Sequence, residues 1–553
     1  MAGLLAPKQL PYDALEWERM PFARRIRLAC TSWAIDGYGA PLAIYFAYAL
    51  KIGLYVGGWL GFCALTPGLG GPGTISEWWL APVAFQKAIL WSALFEVLGL
   101  GCGSGPLTGR YMPPFGGFLY FLRPGTVKLP LVPGLPLVGG DRRTWLDVLL
   151  YAGFVGVLVA ALLAAAPGVT SMAAALGLLA VMSLSDRTLF LAARGEHYAT
   201  TMLCFVLAGN WIAGAKAVQL ALWFWAGVSK WNHHFPAVVG VMGSNSPLLR
   251  AAWWRKKMYV DYPEDLRPSR LATWMAHAGT LLELGVPLVF LCAGGPVGLT
   301  VGIVLMLMLH GFITSNVPMG VPLEWNVVVV YAGFALFWAH PDVGLMDLGS
   351  PPLAVVLIIA LVVVPLLGNL VPDRVSFLPA MRYYAGNWAW SVWLFKGESY
   401  RRLERGLTMS SPWVMDQLAH FYDRRTATGL IGKVMAFRAM HLHGRILGIL
   451  IPRAVDDLAA CFYADGELVA GLVLGWNFGD GHLHDERLLA TVQKHCKFEP
   501  GELRVIFVES QPLLGDSLAW RIADAASGEL ERGAVKVAEL RKRQPWDEHP
   551  PAG

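Results

Sequence analysis

The feature that most constrains this chain is a series of apolar runs, each about as long as a bilayer is thick. A helix needs roughly 20 residues to cross about 30 Å of hydrocarbon. With 55% hydrophobic and 15% charged residues over 553 positions, a soluble globule is excluded. The sequence therefore predicts an all-α polytopic membrane protein with about 9–10 transmembrane helices. The ten runs lie near 40–65, 83–102, 145–165, 168–187, 197–213, 216–235, 271–293, 297–316, 325–340 and 352–371.

Basic residues alternate between the loops and so predict an orientation. Lys and Arg gather in every second loop, as at Lys256 and Lys257, whereas the opposite loops hold almost none apart from Lys216. Loops that stay in the cytoplasm carry this positive excess. Both termini and the loop 232–270 are therefore expected on the cytoplasmic face of a multi-pass membrane protein.

Composition divides the chain into three parts. Residues 1–36 are expected to form a cytoplasmic N-terminal segment, and residues 37–395 the transmembrane helical domain. After residue 396 charges become frequent and apolar runs shorten, which predicts a small C-terminal cytoplasmic, soluble α/β domain over 396–553. Sequence patterns within that domain predict a few elements.

Residues 505–510 and 467–476 are typical of strands because they are short, apolar and bounded by turn residues. Residues 485–496 are typical of a helix with acidic residues in its first turn. The GDGHLHDE motif at 479–486 has an alternative as a metal site, but a turn followed by a helix cap explains it equally well. The seven cysteines form no CxxC pair, and the membrane-level histidines are scattered, so no metal is expected.

One charged side chain, Lys230, lies within the apolar, tryptophan-rich stretch 223–235. Charges inside membrane segments are costly and commonly functional, and burial favours the neutral amine, which can accept a proton. A tight turn near 213–215 should pair this helix with the preceding one and bring His197 within about one turn of Lys230. There the imidazole could tune the amine or relay a proton. The alternative is that Lys230 snorkels to the interface and that His197 caps a helix.

A pocket is expected around this pair. Gly227, Lys230, Trp231 and His234 recur at helical spacing on one face, where glycine admits a neighbour or flat ligand and tryptophan supplies walls. A second polar group near 310–326 could floor the same pocket, although a carboxylate at a helix start also has a purely structural role. The expected pocket residues are Trp223, Gly227, Trp231, His234, Glu196, His310, Asn316, Glu324 and Asn326.

Glu283 is a further carboxylate inside an apolar run. An ionised group at that depth needs a partner. His277 and a basic residue elsewhere are both candidates for that partner.

Several of these segments resemble vitamin K-dependent γ-glutamyl carboxylase. AGVSKW at 226–231 resembles its lysine segment, and HYATTML at 197–203 resembles its histidine segment one helix earlier. LLELGVP at 281–287 is similar to a later helix of the wider horizontally transferred transmembrane (HTTM) domain family. The PLEWN, RYYAGNW and WNFGDGHLHDE segments are also similar to those of a group of bacterial transmembrane proteins, which suggests no activity. That resemblance implies a multi-pass protein integral to the bacterial cytoplasmic membrane.

The carboxylase resemblance implies an enzyme that uses a reduced naphthoquinone, of the menaquinol or vitamin K hydroquinone type, together with dioxygen. Lys230 would deprotonate the hydroquinone, His197 would orient Lys230, and epoxidation of the quinone would drive proton abstraction from an acceptor. Carbon dioxide is a further candidate substrate. The acceptor is unknown, whether small molecule, lipid or peptide.

The chain departs from the carboxylase at several positions. Glu196 stands where the family has asparagine, Ser229 replaces a second lysine, and the large extracytoplasmic domain has no counterpart. These departures disfavour carboxylation of a protein. The alternative is a non-catalytic lipid- or quinone-binding membrane scaffold of the cell envelope, and a transporter is disfavoured because no internal repeat is evident. A net charge of +5, spread over loops beside apolar runs, does not favour nucleic acid as a partner.

Overall fold

The computed structural model describes residues 2–102, 109–110, 117–318, 322–375, 382–478 and 482–548. Each of the ten predicted apolar runs contains a helix, and two further helices lie outside these runs. The last two of the runs each include a π-helical turn. The helices are α1 (Phe22–Asp36), α2 (Leu42–Ala64), α3 (Pro82–Val97), α4 (Trp145–Leu163), α5 (Val169–Ser185), α6 (Tyr198–Leu207), α7 (Trp211–Lys230), α8 (Phe235–Asn245), α9 (Arg270–Cys292), α10 (Pro296–Thr314), α11 (Leu323–Ala332, continued over Gly333–Trp338) and α12 (Pro351–Leu370).

Fewer of these helices can cross a membrane than the sequence suggests. Within the described residues, α2, α4, α9, α10 and α12 are long and apolar enough, and two bent helix pairs raise the number to seven if each is one span. The predicted 9–10 spans are therefore not supported. Most of the others fall short of the roughly 20 residues needed, and α7 is long enough but carries Lys216 and Lys230. The chain is nonetheless a helical, polytopic membrane protein.

The C-terminal part is built on an antiparallel sheet with the strand order β4-β3-β5-β6-β7. A short hairpin, β1 (Tyr259–Asp261) and β2 (Asp265–Pro268), lies earlier in the chain, between α8 and α9. The sheet strands are β3 (Trp390–Lys396), β4 (Cys461–Asp465), β5 (Leu503–Val508), β6 (Ser517–Asp524) and β7 (Gly528–Lys536). The helices are α13 (Arg424–Met440), α14 (Leu447–Ala454), α15 (Gly466–Leu474) and α16 (Glu486–Cys496). Shorter helices cover Ala2–Leu5, Ala14–Trp17, Ile75–Trp78, Arg187–Ala192, Ala252–Lys257, Arg401–Gly406, Val414–Leu418 and Val537–Leu540.

Two of the three elements predicted in this part are confirmed. Strand β5 and helix α16 lie where the sequence indicates them, with the Asp485 side chain capping α16. The strand predicted over 467–476 is wrong because that segment is α15. Asp465 accepts from the Glu467 backbone N–H at its start, and Gly475 ends it with a φ of 84°, which are ordinary helix caps.

The sheet begins before the expected domain boundary. Strand β3 starts at Trp390 and lies between β4 and β5, so residues 390–395 belong with the C-terminal sheet rather than with the membrane helices.

The C-terminal part packs against loops that carry basic residues. Arg187 donates to the Asp485 carboxylate at 2.9 Å, and Lys494 to Asp141 at 2.6 Å. The N-terminal helix α1 joins the same assembly, since Lys433 of α13 donates to the Ser32 hydroxyl at 2.7 Å. The N-terminal segment and the sheet therefore lie on the side of the membrane helices where the basic loops lie.

Candidate functional site

A cavity lies where the membrane helices meet the C-terminal part. Helices α7, α8, α9, α10 and α11 form its walls, and the segment 383–388 with the end of α13 closes it. Its volume is about 190 Å³, which is room for roughly a dozen water molecules at about 10–15 Å³ each. The lining is mostly apolar and includes a few polar side chains. Such cavities are the usual form of small-molecule sites.

The charged group of this cavity is an ion pair between Lys230 and Glu283. Both side chains line the cavity, and only 8% and 4% of their surfaces are exposed. Glu283 is 13 residues into α9, or about 20 Å along its axis. Lys230 therefore does not snorkel to the interface. Of the two partners expected for Glu283, the basic residue is the one present, since Lys230 neutralises it and His277 is exposed.

The pair depends on a close crossing of α7 and α9. A Cβ atom built on Gly227 would meet the Leu284 side chain at 2.7 Å and its backbone nitrogen at 3.2 Å. Real Cβ atoms essentially never come nearer than about 3 Å to another heavy atom. Gly227 thus admits a neighbouring helix, and it does not line the cavity.

Replacing Gly227 with valine is expected to separate α7 from α9 and to weaken the Lys230–Glu283 contact. Overpacking of this kind costs about 1–3 kcal/mol, measurable as a lower midpoint of unfolding in mixed micelles. Gly57 in α2 is a matched control because a Cβ atom added there would have no neighbour within 4 Å. An equal loss in Gly57→Val would contradict the role of the crossing.

A second polar group in the cavity centres on His310. The Trp223 indole N–H donates to Nε2 of His310 at 2.9 Å. Because an indole nitrogen can only donate, the imidazole proton is on Nδ1, which donates to Oδ1 of Asn326 at 2.7 Å. Asn326 in turn donates to the Pro322 carbonyl. The network holds His310 as a neutral imidazole with a fixed tautomer.

His197 does not face Lys230 as expected. It precedes α6 without capping it, and its Nδ1 accepts from the Trp325 indole at 2.9 Å. Trp325 lines the cavity, whereas His197 lies behind it. His197 is therefore a buried support for a cavity wall, and Glu283 takes the position beside Lys230. Glu196, in the same turn, is buried and also outside the lining.

Two further expected residues lie outside the cavity because α7 ends at Lys230. Beyond it the chain turns, so Trp231 points outward with 72% of its surface exposed. His234 begins α8, is buried, and bonds through Nε2 to the Gln511 side chain at 2.9 Å. The helical face that the spacing predicted therefore stops at Lys230.

Glu324 belongs to a separate buried cluster. Glu324, Glu96 and Cys102 offer ligand atoms that all lie within 4.8 Å of one another. However, Lys51 lies 3.3 Å from Glu324, and Arg194 donates to Glu96 at 3.0 Å. Two cations already balance two carboxylates, so a divalent cation would add uncompensated charge in a buried site. The arrangement does not favour a metal.

The C-terminal part supplies a wall that the site prediction left out. Tyr383, Tyr384, Trp388, Phe437 and His441 line the cavity. Burial raises the pKa of Tyr383 and Tyr384 above the ordinary tyrosine range, so both hydroxyls stay protonated. The aromatic RYYAGNW segment was the one sequence signal for this wall, but such a segment is equally typical of the aromatic belt at a membrane–water interface.

Asn316, an expected pocket residue, does line the cavity. Its amide donates to the Phe312 carbonyl at 2.7 Å, and its Oδ1 is buried without a hydrogen-bond partner among the described residues. With Lys230, Trp223, His310 and Asn326, it completes the set of predicted residues that the fold brings together. Residues 479–481 of the GDGHLHDE motif lie outside the described residues.

Comparison with known proteins gives one result. A family model described as a transmembrane protein of unknown function (DUF3556) matches residues 2–552. No curated protein and no solved structure matches the chain, and the family description names neither the γ-carboxylase nor the HTTM family. The match takes in both the membrane helices and the sheet, so the two parts form one family unit. The chain belongs to the DUF3556 family of transmembrane proteins.

Proposed function

We propose that this protein is an integral-membrane enzyme that binds a reduced quinone in the cavity and accepts its hydroxyl proton at the Lys230–Glu283 pair. The observation that carries the proposal is a buried ion pair in a mostly apolar cavity, with Lys230 at the end of α7 and Glu283 in the middle of the candidate membrane span α9. Intramembrane ionisable pairs commonly mark functional sites. The γ-carboxylase and HTTM resemblance supplies the reaction class.

The residues of the cavity fit such a ligand. A naphthoquinone ring is flat and largely apolar, and Trp223, Trp325 and Trp388 offer aromatic surfaces. A reduced naphthoquinone, when bound, would couple its oxygenation by dioxygen to removal of a proton from the unknown acceptor. The chain's own task is to hold the ring, keep water out and take one hydroxyl proton.

Within the pair, the carboxylate is the better proton acceptor. An ammonium group has no lone pair to offer, so a Lys230 that neutralises Glu283 is not itself the base. We assign proton acceptance to a carboxylate oxygen of Glu283 and stabilisation of the resulting anion to the Lys230 ammonium. This division of roles differs from the one that the carboxylase resemblance implies, in which Lys230 is the base.

The test is formation of quinone epoxide by the purified protein supplied with menaquinol and dioxygen. Loss of a general base costs about 100-fold or more in rate, so Glu283→Gln is expected to lose epoxide at least to that extent. Lys230→Arg should keep more activity than Lys230→Met, because it keeps the charge. His277→Gln, an exposed site on the same helix, should match the unmodified protein.

Two results would contradict the assignment. If Glu283→Gln stays active while Lys230→Arg and Lys230→Met are equally inactive, the base is the amine. If the unmodified protein forms no epoxide but retains bound quinone, the protein is the non-catalytic quinone- or lipid-binding scaffold. One feature favours this scaffold function: Lys230 and Glu283 already neutralise each other, so the pair is complete without a ligand.

We further propose that both termini and the C-terminal sheet face the cytoplasm of a bacterial cell. Helices of the C-terminal part contact Arg142 and Arg187, which lie between membrane helices, and loops with a positive excess stay in the cytoplasm. The cavity would then open towards the cytoplasmic leaflet. Protease treatment of sealed inside-out vesicles should cleave the C-terminal part, and protection there would reverse the orientation.

A further inference from the structure

The cavity has buried polar groups and an apolar, partly exposed rim. The polar groups that the membrane helices and their ends contribute are the Lys230–Glu283 pair, His310, Asn326 and Asn316. The partly exposed lining residues are apolar except for Tyr384, and most come from the three neighbouring helices α8, α9 and α10. The rim residues on these helices are Phe235, Val238, Met242, Met275, Gly279, Phe312 and Ile313.

Phe312 marks the place where the rim meets the surroundings. It lines the cavity, yet 47% of its surface is exposed. Gly279 lies on α9, and a Cβ atom added there would have one neighbour within 4 Å, the Phe235 ring at 3.8 Å, and none on α10. At Gly279 the rim therefore has a gap between α9 and α10 rather than packed side chains.

The depth of the gap places it in the bilayer. Both α9 and α10 are candidate membrane spans. Gly279 is nine residues past Arg270, or about 14 Å along α9, whereas Glu283 is about 20 Å along it. The rim thus lies at hydrocarbon level, between the helix end and the ion pair. A ligand that crosses this rim comes from lipid rather than from water.

We propose that the rim is a lateral portal and that the ligand is a long-chain amphiphile. Its ring head lies against the Lys230–Glu283 pair, and its apolar tail leaves between α9 and α10, past Gly279 and Phe312, into the bilayer. This inference rests on the proposed function and adds the route by which the ligand reaches the ion pair, from the bilayer between α9 and α10 rather than from water. An apolar tail at a gap between spanning helices stays in hydrocarbon, where its transfer costs little.

The test compares two probes with one ring: a menaquinone with a four-unit isoprenoid tail, and menadione, which has no tail. Binding to the full chain in detergent micelles is followed by native mass spectrometry. Gly279→Leu places a side chain where the tail would pass and is expected to weaken binding of the tailed probe at least tenfold, and of menadione less than threefold. Gly285→Leu, on the same helix with nothing within 4 Å of the added Cβ, should change neither.

A second measurement locates the tail directly. A menaquinone with a diazirine in its tail should crosslink to residues of α8, α9 or α10 near Phe312 after illumination. Equal losses for both probes in Gly279→Leu, or crosslinks confined to the C-terminal sheet, would overturn the portal while leaving quinone binding intact. If neither probe binds the unmodified protein, the proposed function itself falls, and the portal with it.

Discussion

Replacing Glu283 with leucine is expected to lower the free energy of unfolding by about 3–5 kcal/mol, because Lys230 would remain buried without its counter-charge. Lys230→Met should cost a similar amount for the converse reason. The double variant Lys230→Met/Glu283→Leu removes both charges and keeps the volume, so it should be more stable than either single variant. Unfolding in mixed detergent micelles, followed by circular dichroism, measures all three.

The matched control is His277→Ala, an exposed position on the same helix, which should stay within about 0.5 kcal/mol of the unmodified protein. If the effects of the two single variants simply add in the double variant, the side chains do not interact. That result would remove the basis of the proposed site. A coupling of several kcal/mol would instead establish the pair independently of any reaction.

The sequence predicted the helices well because an apolar run in a bilayer must satisfy its own backbone hydrogen bonds, and a helix does so. Each run near bilayer length contains a helix. The number of spans was harder to predict, because an apolar run in the sequence can continue past the residue at which its helix ends. The run near 197–213, for example, is split at Ala208, where α6 ends after only 10 residues.

The site was predicted in part. Lys230 stood out because a charge in an apolar run is rare, and Glu283 because it needed a partner. Their pairing depends on the crossing at Gly227 and Leu284, which joins helices that are far apart in sequence. Pairing two helices through a tight turn predicts which residues lie at the same depth, but it does not predict which face of each helix turns towards the other. His197 was therefore placed beside Lys230, whereas it contacts Trp325.

The aromatic wall from the C-terminal part could not be predicted. It depends on β3 entering the sheet between β4 and β5, whose residues lie roughly 70 and 110 positions later. Such long-range antiparallel pairing leaves no local pattern in the strand itself. Tyr383 and Trp388 therefore looked like ordinary interfacial aromatics.

The second large effect is expected from Arg438, which holds that wall in place. Its guanidinium donates to Asp465 at 2.7 Å and to Glu467 at 2.5 Å, and only 1% of the residue is exposed. Glu467 also accepts from the Tyr383 hydroxyl at 3.2 Å, and Arg438 lies over the Trp388 ring at 5.3 Å. One buried cation thus connects two carboxylates with two cavity-lining aromatics.

Arg438→Met is expected to destabilise the C-terminal part by about 3–5 kcal/mol, because two buried carboxylates lose their cation. Arg438→Lys should recover only part of this, since an ammonium cannot reproduce the forked contact to both carboxylates. Limited proteolysis should show faster cleavage after residue 382 in both variants, and the Arg438→Met variant should be cleaved faster than Arg438→Lys. Arg453→Met, which removes a half-exposed pair with Glu531, is the control and should cost at most about 1 kcal/mol. If Arg438→Met left proteolysis unchanged, the cluster would not support the cavity wall, and the C-terminal part would be held to the membrane helices by its other contacts alone.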